Sequence, residues 1–444
     1  MLDRFRISKF CSVSSLREIA DRAEQDYILI YTTNMPVING NGTEKRYLDI
    51  ACNTGSVMLY SDFNELDGGV LAYHPLIMCQ KGSLRDDFDF GHLMVIRTDA
   101  FKEALGTIKS EFDYAGFYAL RLAISRLGDI FHIPEPLYTV DVSGNKTVDT
   151  HFAYVDPRNR DVQIEMEQAC TDHLKKLGGF LHPVVNEISF EENFTTDISV
   201  IIPVKNRVKT IPDAVESVMR QKFAGKYNVI IVDNHSGDGT TDVLKGLNKK
   251  YSGLIHIIPE EKDLGIGGCW NKAVLHPGCG KFCIQLDSDD LYSGDDVLQK
   301  VWNKFQEGKC AMVVGSYSIV DFDLNTMPPG LIDHREWTDE NGHNNALRIN
   351  GLGAPRAFYT PVIRKILFPN VSYGEDYAVA LAISRSHKVG RIYESLYLCR
   401  RWEGNTDSGL PQEKINRNNL YKDTLRSMEL SARQKINGYD GKRN

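Results

Sequence analysis

The sequence of 444 residues lacks any apolar run that approaches the length of a membrane-crossing helix, about 18 residues. Its first ten residues, MLDRFRISKF, contain no apolar stretch of the kind found in secretion signals. Basic stripes are also missing, because 52 Lys and Arg are scattered among 59 Asp and Glu, and the formal charge is −7. We therefore expect neither a membrane span nor a nucleic-acid-binding surface.

The nine cysteines follow no repeated spacing. An odd number of cysteines in a chain without a secretion signal predicts reduced thiols and a cytoplasmic location, with peripheral association with the inner face of the membrane left open. Cys279 and Cys283 lie near His276, but Cys283 falls inside an apolar run and no fourth ligand follows at a zinc-site spacing. We do not interpret these three residues as a metal site.

Strands alternate with helices in the region from residue 198 to residue 287. The runs ISVIIPV (198–204) and NVIIV (228–232) are rich in β-branched residues, as expected of strands buried on both faces. Further elements are expected as helices at 211–221, about 240–250 and 271–275, and as strands at 254–258 and 282–286. This order predicts an α/β fold with a Rossmann-related, mixed but mainly parallel sheet flanked by helices, with ligands at the carboxyl ends of the strands.

Three acidic residues, Asp287, Asp289 and Asp290, follow the apolar run FCIQL (282–286). Residues two apart in an extended segment point to the same side, so Asp287 and Asp289 can approach one cation. Carboxylate oxygens suit Mg²⁺ or Mn²⁺, which could bridge the protein and a diphosphate. A surface loop without a ligand is the alternative interpretation.

The chain also contains an internal repeat. Residues 114–138 match residues 373–397 with 12 identities in 25 positions. In this comparison Gly116 and Phe117 stand where Glu375 and Asp376 stand. Further upstream, the sequence LYSD (59–62) stands opposite LDSD (286–289), and Arg97 stands opposite Arg356, which favours a structural role for Arg356. The pattern predicts a duplicated architecture.

We therefore predict four regions. Residues 1–155 are interpreted as a shortened, non-catalytic copy, and 156–195 as a helical connector. Residues 196–410 are interpreted as the catalytic domain. Residues 411–444 are expected to form a helical tail that packs onto the catalytic domain through four apolar positions, Ile415, Leu420, Leu425 and Met428. The alternative is that these positions form a homodimer contact.

Several motifs occur together in one order: VIIPVKN (200–206), VDNHSGDGT (232–240), a glycine-rich segment with Asn271, LDSDD (286–290), and YGEDY with RRW in 373–408. Together they resemble the family-2 glycosyltransferases, which have a GT-A fold. The resemblance implies a GT-A-like domain, here with a truncated N-terminal copy. It also implies an inverting, metal-dependent enzyme that moves a sugar from a nucleoside-diphosphate sugar to a glycan or lipid-linked acceptor in bacterial surface polysaccharide synthesis.

The resemblance also implies roles for single residues. Asp289 would bind Mn²⁺ or Mg²⁺ directly, Asp287 would support the metal or the ribose, and Asp233 would accept a hydrogen bond from the nucleobase. Asp376 would take the proton of the acceptor hydroxyl, with Glu375 orienting it. Helix capping is the alternative for these two acids. The remaining nucleotide-sugar-binding candidates are Pro203, Val204, Lys205, Asn206, Asn271, Arg400, Arg401 and Trp402.

The segment 333–350 is interpreted as a mobile lid over the acceptor site.

Two other functions are alternative interpretations of the sequence. A sugar-nucleotide pyrophosphorylase would have a glycine-rich, basic phosphate loop after the first strand, and VKNRVKT (204–210) lacks those glycines. A non-catalytic carbohydrate-binding scaffold would suit residues 1–155 better than the acid-bearing region that follows.

Overall fold

The computed structural model describes residues 2–144, 159–183, 187–335, 337–402, 405 and 410–439. It contains two sheets, one in the N-terminal unit (residues 2–144) and one in the C-terminal unit (residues 187–402). The expected boundaries at residues 155 and 156, and the end of the expected tail, lie outside the described residues.

The elements of the N-terminal unit are β1 (Leu2–Arg6), α1 (Val13–Arg22), β2 (Tyr27–Tyr31), β3 (Val37–Asn39), α2 (Thr43–Thr54), β4 (Met58–Asp67), β5 (Val70–His74), β6 (Leu93–Arg97), α3 (Thr98–Gly106), α4 (Gly116–Ile124) and β7 (Ile130–Asp141). Helix α5 (Arg160–Lys176) follows and packs against α4. It lies in the region where the sequence predicted a helical connector.

The elements of the C-terminal unit are β8 (Ile198–Val204), α6 (Ile211–Met219), β9 (Tyr227–Asp233), α7 (Thr240–Lys250), β10 (Leu254–Ile257), α8 (Ile266–Leu275), β11 (Phe282–Gln285), β12 (Leu291–Tyr292), α9 (Val297–Gly308), β13 (Met312–Val320), β14 (Thr326–Ile332), α10 (Gly342–Asn345), β15 (Arg356–Tyr359), α11 (Thr360–Ile366), α12 (Glu375–Ser384) and β16 (Val389–Arg400). Helix α13 (Gln412–Ile436) is the last described element.

The C-terminal sheet has the strand order β10-β9-β8-β11-β15-β13-β16-β12, with β14 paired to β13. Strands β10, β9, β8 and β11 are parallel, as the alternation of strands and helices predicts. Strand β15 runs antiparallel to both of its neighbours, and β13 is parallel to β16. The sheet is therefore mixed, as predicted. Its parallel pairs lie among β10, β9, β8 and β11 and between β13 and β16, and its antiparallel pairs involve β15, β14 and β12.

The N-terminal sheet has the order β1-β2-β6-β4-β7-β3, with β5 paired to β4. Strand β6 is antiparallel to β2 and β4, and β4 is parallel to β7. In the C-terminal sheet, β15 is likewise antiparallel to β11 and β13, and β13 is parallel to β16. The strands β9 and β10 have no counterpart among residues 2–144, where one helix, α1, joins β1 to β2. The sequence analysis missed β1.

The strand registers correct two sequence comparisons. Strand β2 takes the place of β11, so the positions of Asp287 and Asp289 correspond to Thr32 and Asn34, and not to Tyr60 and Asp62. The comparison of 59–62 with 286–289 was therefore wrong, because β4 occupies the place of β13.

The registers of β6 and β15 correct the second comparison. Ile96 of β6 pairs with β4 as Phe358 of β15 pairs with β13, so these two residues are equivalent. Counting two residues back from each aligns Arg356 with Met94, and not with Arg97. The repeat match of α4 with α12 agrees with the helix starts at Gly116 and Glu375.

Helix α13 and the segment 342–349 differ from the predictions. In α13 the apolar residue Met428 is 63% exposed, whereas Asp423, Arg426 and Arg433 have no exposed surface. Of the four predicted packing positions only Leu425 packs against the core, whereas Ile415, Leu420 and Met428 are exposed. Charged residues form most of the buried face, together with Leu430. All residues from 342 to 349 are buried, so the predicted mobile lid was also wrong there.

The core of each unit is formed by its sheet and the helices that cover it. The apolar residues of β8, β9 and β11 are almost fully buried, which explains their continuous β-branched runs. None of the nine cysteines, all of which lie in the described ranges, forms a disulfide bond. Among the residues that the structure describes, no helix combines the length and the apolar character that crossing a membrane requires.

Candidate functional site

The acids that follow β11 lie at the carboxyl end of the parallel strands. The main-chain N–H of Asp287 donates to the hydroxyl of buried Tyr397 at 3.0 Å. The Gln285 amide nitrogen donates to both carboxylate oxygens of Asp287, at 3.0 and 3.1 Å. Asp290 turns inward and accepts the main-chain N–H of Arg400 at 2.8 Å. The loop is thus fixed at both ends by hydrogen bonds.

Negative charge accumulates in this loop. Burial raises the pKa of Asp287 above its usual value, and the Asp289 carboxylate adds to the rise. Burial also holds the pKa of Asp290 well above its usual value, with contributions from Asp287 and Asp289. These directions show that the loop favours an added positive charge.

Asp289 is the acid of this loop that faces the cleft. Its Oδ2 accepts the Trp402 indole N–H at 3.3 Å and lies 3.4 Å from Nε of Arg207. The sequence analysis predicted Trp402 as a site residue but missed Arg207. The signal for Arg207 was available, because it directly follows the motif VIIPVKN.

Arg400 is brought to the same loop in a buried position, with 2% of its side chain exposed. Its Nε donates to the carbonyl of Asp289 at 2.5 Å, and its Nη1 lies 3.0 Å from Oδ2 of Asp213. These contacts give Arg400 a bracing role. Arg401 is half-buried, and its main-chain N–H donates to Val320 at 2.8 Å.

The second side of the cleft edge comes from β8 and β9. Val204 pairs with Asp233 in the parallel ladder and is buried, Pro203 is half-buried, and Lys205 and Asn206 are exposed. Asn206 adopts φ 55° and accepts the N–H of Gly237 at 2.8 Å through its side chain. This bond joins the two loops.

Asp233, which was predicted to accept a hydrogen bond from the nucleobase, is fully buried. Its Oδ1 accepts the N–H of Ser236 at 3.0 Å, and its Oδ2 accepts the Thr241 hydroxyl at 2.6 Å. Burial alone would raise its pKa, but these hydrogen bonds outweigh burial and lower the pKa. Both oxygens thus shape the turn that leads into α7.

The neighbouring Asn234 was given no binding role by the sequence analysis. Its side-chain nitrogen donates to the carbonyl of Leu264 at 2.7 Å, which fixes the orientation of the amide. Its Oδ1 is buried and has no hydrogen-bond partner within the described residues. An unpaired acceptor beside Asp233 is a candidate contact for a ring N–H of a ligand.

Asn271 on α8, which was predicted to bind the nucleotide sugar, bonds to the loop before α12. Its amide donates to the carbonyl of Phe368 and accepts the N–H of the same residue, both at 2.8 Å. A Cβ at Gly267 would collide with the carbonyl of Pro369. Both residues therefore hold the loop before α12 close to α8.

The two acids at the start of α12 lie near the acidic loop after β11. Asp376 Oδ2 lies 2.5 Å from Nη2 of Arg356, whose Nη1 donates to Gln285 Oε1 at 2.8 Å. Because the amide of Gln285 holds Asp287, a continuous chain of polar contacts joins Asp287 to Asp376. Burial would lower the pKa of Arg356, but the charges of Asp376 and Asp287 outweigh it and raise the pKa.

Glu375 has a different environment from Asp376. Its side chain is buried, and Oε2 has no hydrogen-bond partner within the described residues. Burial, with the charge of Asp376, raises the pKa of Glu375 to about 8. Glu375 therefore carries a proton at neutral pH.

The residues fit a divalent cation that a ligand helps to hold. In the described ranges, no three His, Cys, Asp or Glu side chains form a group that could bind a metal by themselves. Within the described residues, Asp289 receives its side-chain contacts, from Trp402 and Arg207, on Oδ2, which leaves Oδ1 available to a ligand. Mg²⁺ and Mn²⁺ accept one or two carboxylates when phosphates and water complete the coordination.

Comparison with known families gives one match within the C-terminal unit. Residues 199–366 match the model described as Glycosyl transferase family 2. The matched region begins in β8, ends with α11 and includes Asp287 and Asp289, whereas Glu375 and Asp376 follow it.

Curated relatives match the chain over part of their length. The putative teichuronic acid biosynthesis glycosyltransferase TuaG of Bacillus subtilis (strain 168) is 35% identical over 131 residues, 30% of this chain and 50% of the relative. The poly(ribitol-phosphate) beta-glucosyltransferase of Bacillus spizizenii is 30% identical over 211 residues, 46% of this chain and 32% of the relative. The chain thus spans half or less of these relatives.

Among solved structures, S. aureus TarS 1–349 in complex with UDP-GlcNAc has a TM-score of 0.42 and 18% identity, covering 54% of this chain and 73% of that chain. The mannosyltransferase PcManGT of Pyrobaculum calidifontis, in complex with GDP-Man and Mn²⁺, has a TM-score of 0.37 and 15% identity, covering 65% of this chain and 87% of that chain.

Proposed function

We propose that this chain, whose residues 199–366 form a Glycosyl transferase family 2 domain, moves a sugar from a nucleoside-diphosphate sugar to a hydroxyl group of a glycan or lipid-linked acceptor. One observation carries the proposal: the polar chain through Gln285 and Arg356 joins Asp287 to Asp376 within one cleft. This supports a donor side at Asp287 and Asp289 and an acceptor side at Asp376.

On the donor side, Asn234 Oδ1 would accept a ring N–H of the nucleobase, and Arg207 would contact the diphosphate beside Asp289. Asp289 would hold Mn²⁺ or Mg²⁺ with support from Asp287, and the ion would offset the diphosphate charge as the nucleotide leaves. The unpaired Oδ1 atoms of Asn234 and Asp289 support these assignments.

On the acceptor side, Asp376 would accept the proton of the attacking hydroxyl group. The hydroxyl oxygen bonds to the anomeric carbon as the bond from that carbon to the phosphate oxygen breaks, and a single displacement of this kind inverts the anomeric centre. Glu375 keeps its own proton at neutral pH, so it would orient the acceptor by hydrogen bonding. The names of the relatives support a cell-surface polysaccharide as the acceptor class.

The test is a screen of the purified protein against UDP-, GDP- and dTDP-sugars with Mn²⁺ or Mg²⁺, measuring release of the nucleoside diphosphate. We expect one donor class to be hydrolysed slowly and only with metal. Asp289→Asn should lower the rate at least about 100-fold, whereas Asp242→Asn, which changes an exposed acid on α7, should leave it unchanged. A rate in Asp289→Asn equal to wild type would overturn the metal assignment, and absence of turnover with every donor would overturn the function.

A further inference from the structure

The two units meet through equivalent loops. Met94 and Arg356 occupy equivalent positions in the two sheets. Asp86 precedes Met94 by eight residues and Arg348 precedes Arg356 by eight, so Asp86 and Arg348 are also equivalent. Asp86 and Arg348 form an ion pair with each other. Contact between equivalent positions is characteristic of an interface with two-fold symmetry. The N-terminal unit is therefore packed against the C-terminal unit as a pseudo-symmetric partner.

The helices α4 and α12 hold these loops in the same way. The hydroxyl of Tyr118 on α4 donates to the carbonyl of Leu84. The hydroxyl of Tyr377 on α12 donates to the carbonyl of Ala346 at 2.6 Å. Tyr118 and Tyr377 are equivalent in the internal repeat. Each loop is thus fixed to the helix of its own unit and touches the loop of the other.

Helix α13 connects the two halves of this junction through buried charge. Asp423 has no exposed surface, and its Oδ2 accepts the Ser83 hydroxyl of the N-terminal unit at 3.0 Å. Its Oδ1 accepts Nη1 of Arg426 at 2.8 Å and lies 3.4 Å from Nε of Arg85. The N-terminal unit therefore helps to fix the orientation of Arg426.

Arg426 uses its whole guanidinium group in the junction. Nε donates to the hydroxyl of Tyr377 at 2.9 Å. Nη2 donates to the carbonyl of Ile349 at 2.9 Å and to Oδ1 of Asn350 at 2.8 Å. Since Arg426 has no exposed surface, water cannot replace these contacts.

Tyr377 directly follows Asp376, and its main-chain N–H donates to Asp376 Oδ1 at 2.7 Å. A continuous set of contacts thus runs from Ser83 through Asp423, Arg426 and Tyr377 to the acceptor-side carboxylate. We propose that the N-terminal unit is a positioning element for Asp376, acting through this junction. The inference rests on the proposed function. It gives a role to the N-terminal unit, which has Thr32, Asn34, Gly116 and Phe117 at the positions of the site acids.

The test removes single polar groups from the junction. Arg426→Met would leave Asp423 buried without its partner and destabilise the fold, so Tyr377→Phe, which removes only a hydroxyl, is the main variant. Ser83→Ala removes a hydroxyl in the other unit. Both substitutions should lower kcat for sugar transfer, Tyr377→Phe by about 10- to 100-fold, because displacing a catalytic group by about 1 Å can lower the rate by this factor. Arg417→Gln, on the exposed face of α13, is the matched control and should have wild-type kcat.

Two further measurements separate positioning from general damage. The affinity for the nucleoside diphosphate released by the wild-type enzyme, measured with Mn²⁺, should change less than about two-fold, because the donor-side residues lie outside the junction. Amide hydrogen exchange at 374–378 should become faster in both variants.

The outcomes that overturn the inference are distinct from failure of the function. A wild-type protein that transfers no sugar refutes the proposed function. An active wild type with unchanged kcat and amide exchange in both variants refutes the positioning role. A parallel loss of kcat and nucleotide affinity refutes it as well, since it would indicate general destabilisation.

Discussion

Glu375 offers a direct test of how burial acts in the cleft. The substitution Glu375→Gln keeps the shape of the side chain and removes its titration. In the folded protein Glu375 is buried against the charges of Asp376 and Asp287, and its pKa is raised from 4.5 to about 8. The substituted amide would have the same apolar surroundings but could never become charged.

The size of the effect follows from linkage. A folded-state pKa of about 8 and an unfolded value of 4.5 differ by roughly 3.5 units, which corresponds to about 5 kcal/mol at about 1.4 kcal/mol per unit. Because the folded pKa is the higher one, the folded state binds the proton more tightly than the unfolded state. The stabilising contribution is therefore fully present below pH 4.5 and is lost as the pH rises to about 8.

The assay is urea unfolding of wild type and Glu375→Gln at pH 5, 6, 7 and 8. The variant should gain free energy of unfolding relative to wild type as the pH rises, by about 3 kcal/mol between pH 5 and pH 7. Glu307→Gln, an exposed site on α9, is the control and should show no such trend. If the difference between wild type and Glu375→Gln is independent of pH, the inference that Glu375 is protonated at neutral pH is wrong.

Three further substitutions test other contacts of the cleft. Gln285→Leu separates Arg356 from Asp287 and should lower kcat for transfer by about 10-fold with little change in melting temperature; an unchanged kcat would contradict a role for the polar chain. Asp233→Ala should destabilise the fold by about 2 kcal/mol, because Ser236 and Thr241 lose their acceptor, and a thermal melt identical to wild type would contradict this. Asn271→Ala should loosen the loop before α12, raising amide exchange at 367–374 by at least about 10-fold, and unchanged exchange would show that the loop does not depend on this amide.

The sequence predicted the parallel half of the C-terminal sheet and the acids at its edge well. Continuous apolar runs such as 198–204 arise only where a strand is covered on both faces, so they are a strong local signal. The acids Asp287 and Asp289 follow such a run directly, so the order of residues alone predicted that they lie just beyond the end of a strand. Helix capping, the alternative given for Glu375 and Asp376, agrees with the start of α12 at Glu375.

The roles of individual polar side chains were less predictable. Asp233, Asn271 and Arg400 were predicted to contact the nucleotide sugar, and the structure adds protein partners that the sequence did not predict. These are Ser236 and Thr241 for Asp233, Phe368 for Asn271, and Asp289 and Asp213 for Arg400. A motif specifies residue types, whereas the direction of each hydrogen bond depends on loops that approach from distant parts of the chain.

Helix α13 shows the limit of reasoning from polarity. Its apolar residues were expected to face inward, yet Asp423, Arg426 and Arg433 are the residues without exposed surface. Charged side chains can be buried only where partners satisfy them, and those partners come from the N-terminal unit, from α12 and from 343–350. No local pattern in 412–436 contains that information.

The sequence by itself determined the parallel strands and the acidic edge after β11, because these depend on periodicity and on residue order. Only the tertiary structure decided that Arg356 bridges Gln285 and Asp376, that 342–349 is buried between the units, and that a charged helix joins them. The physical reason is that burial of a charge is governed by its partners, and these partners are brought together only when the chain is folded.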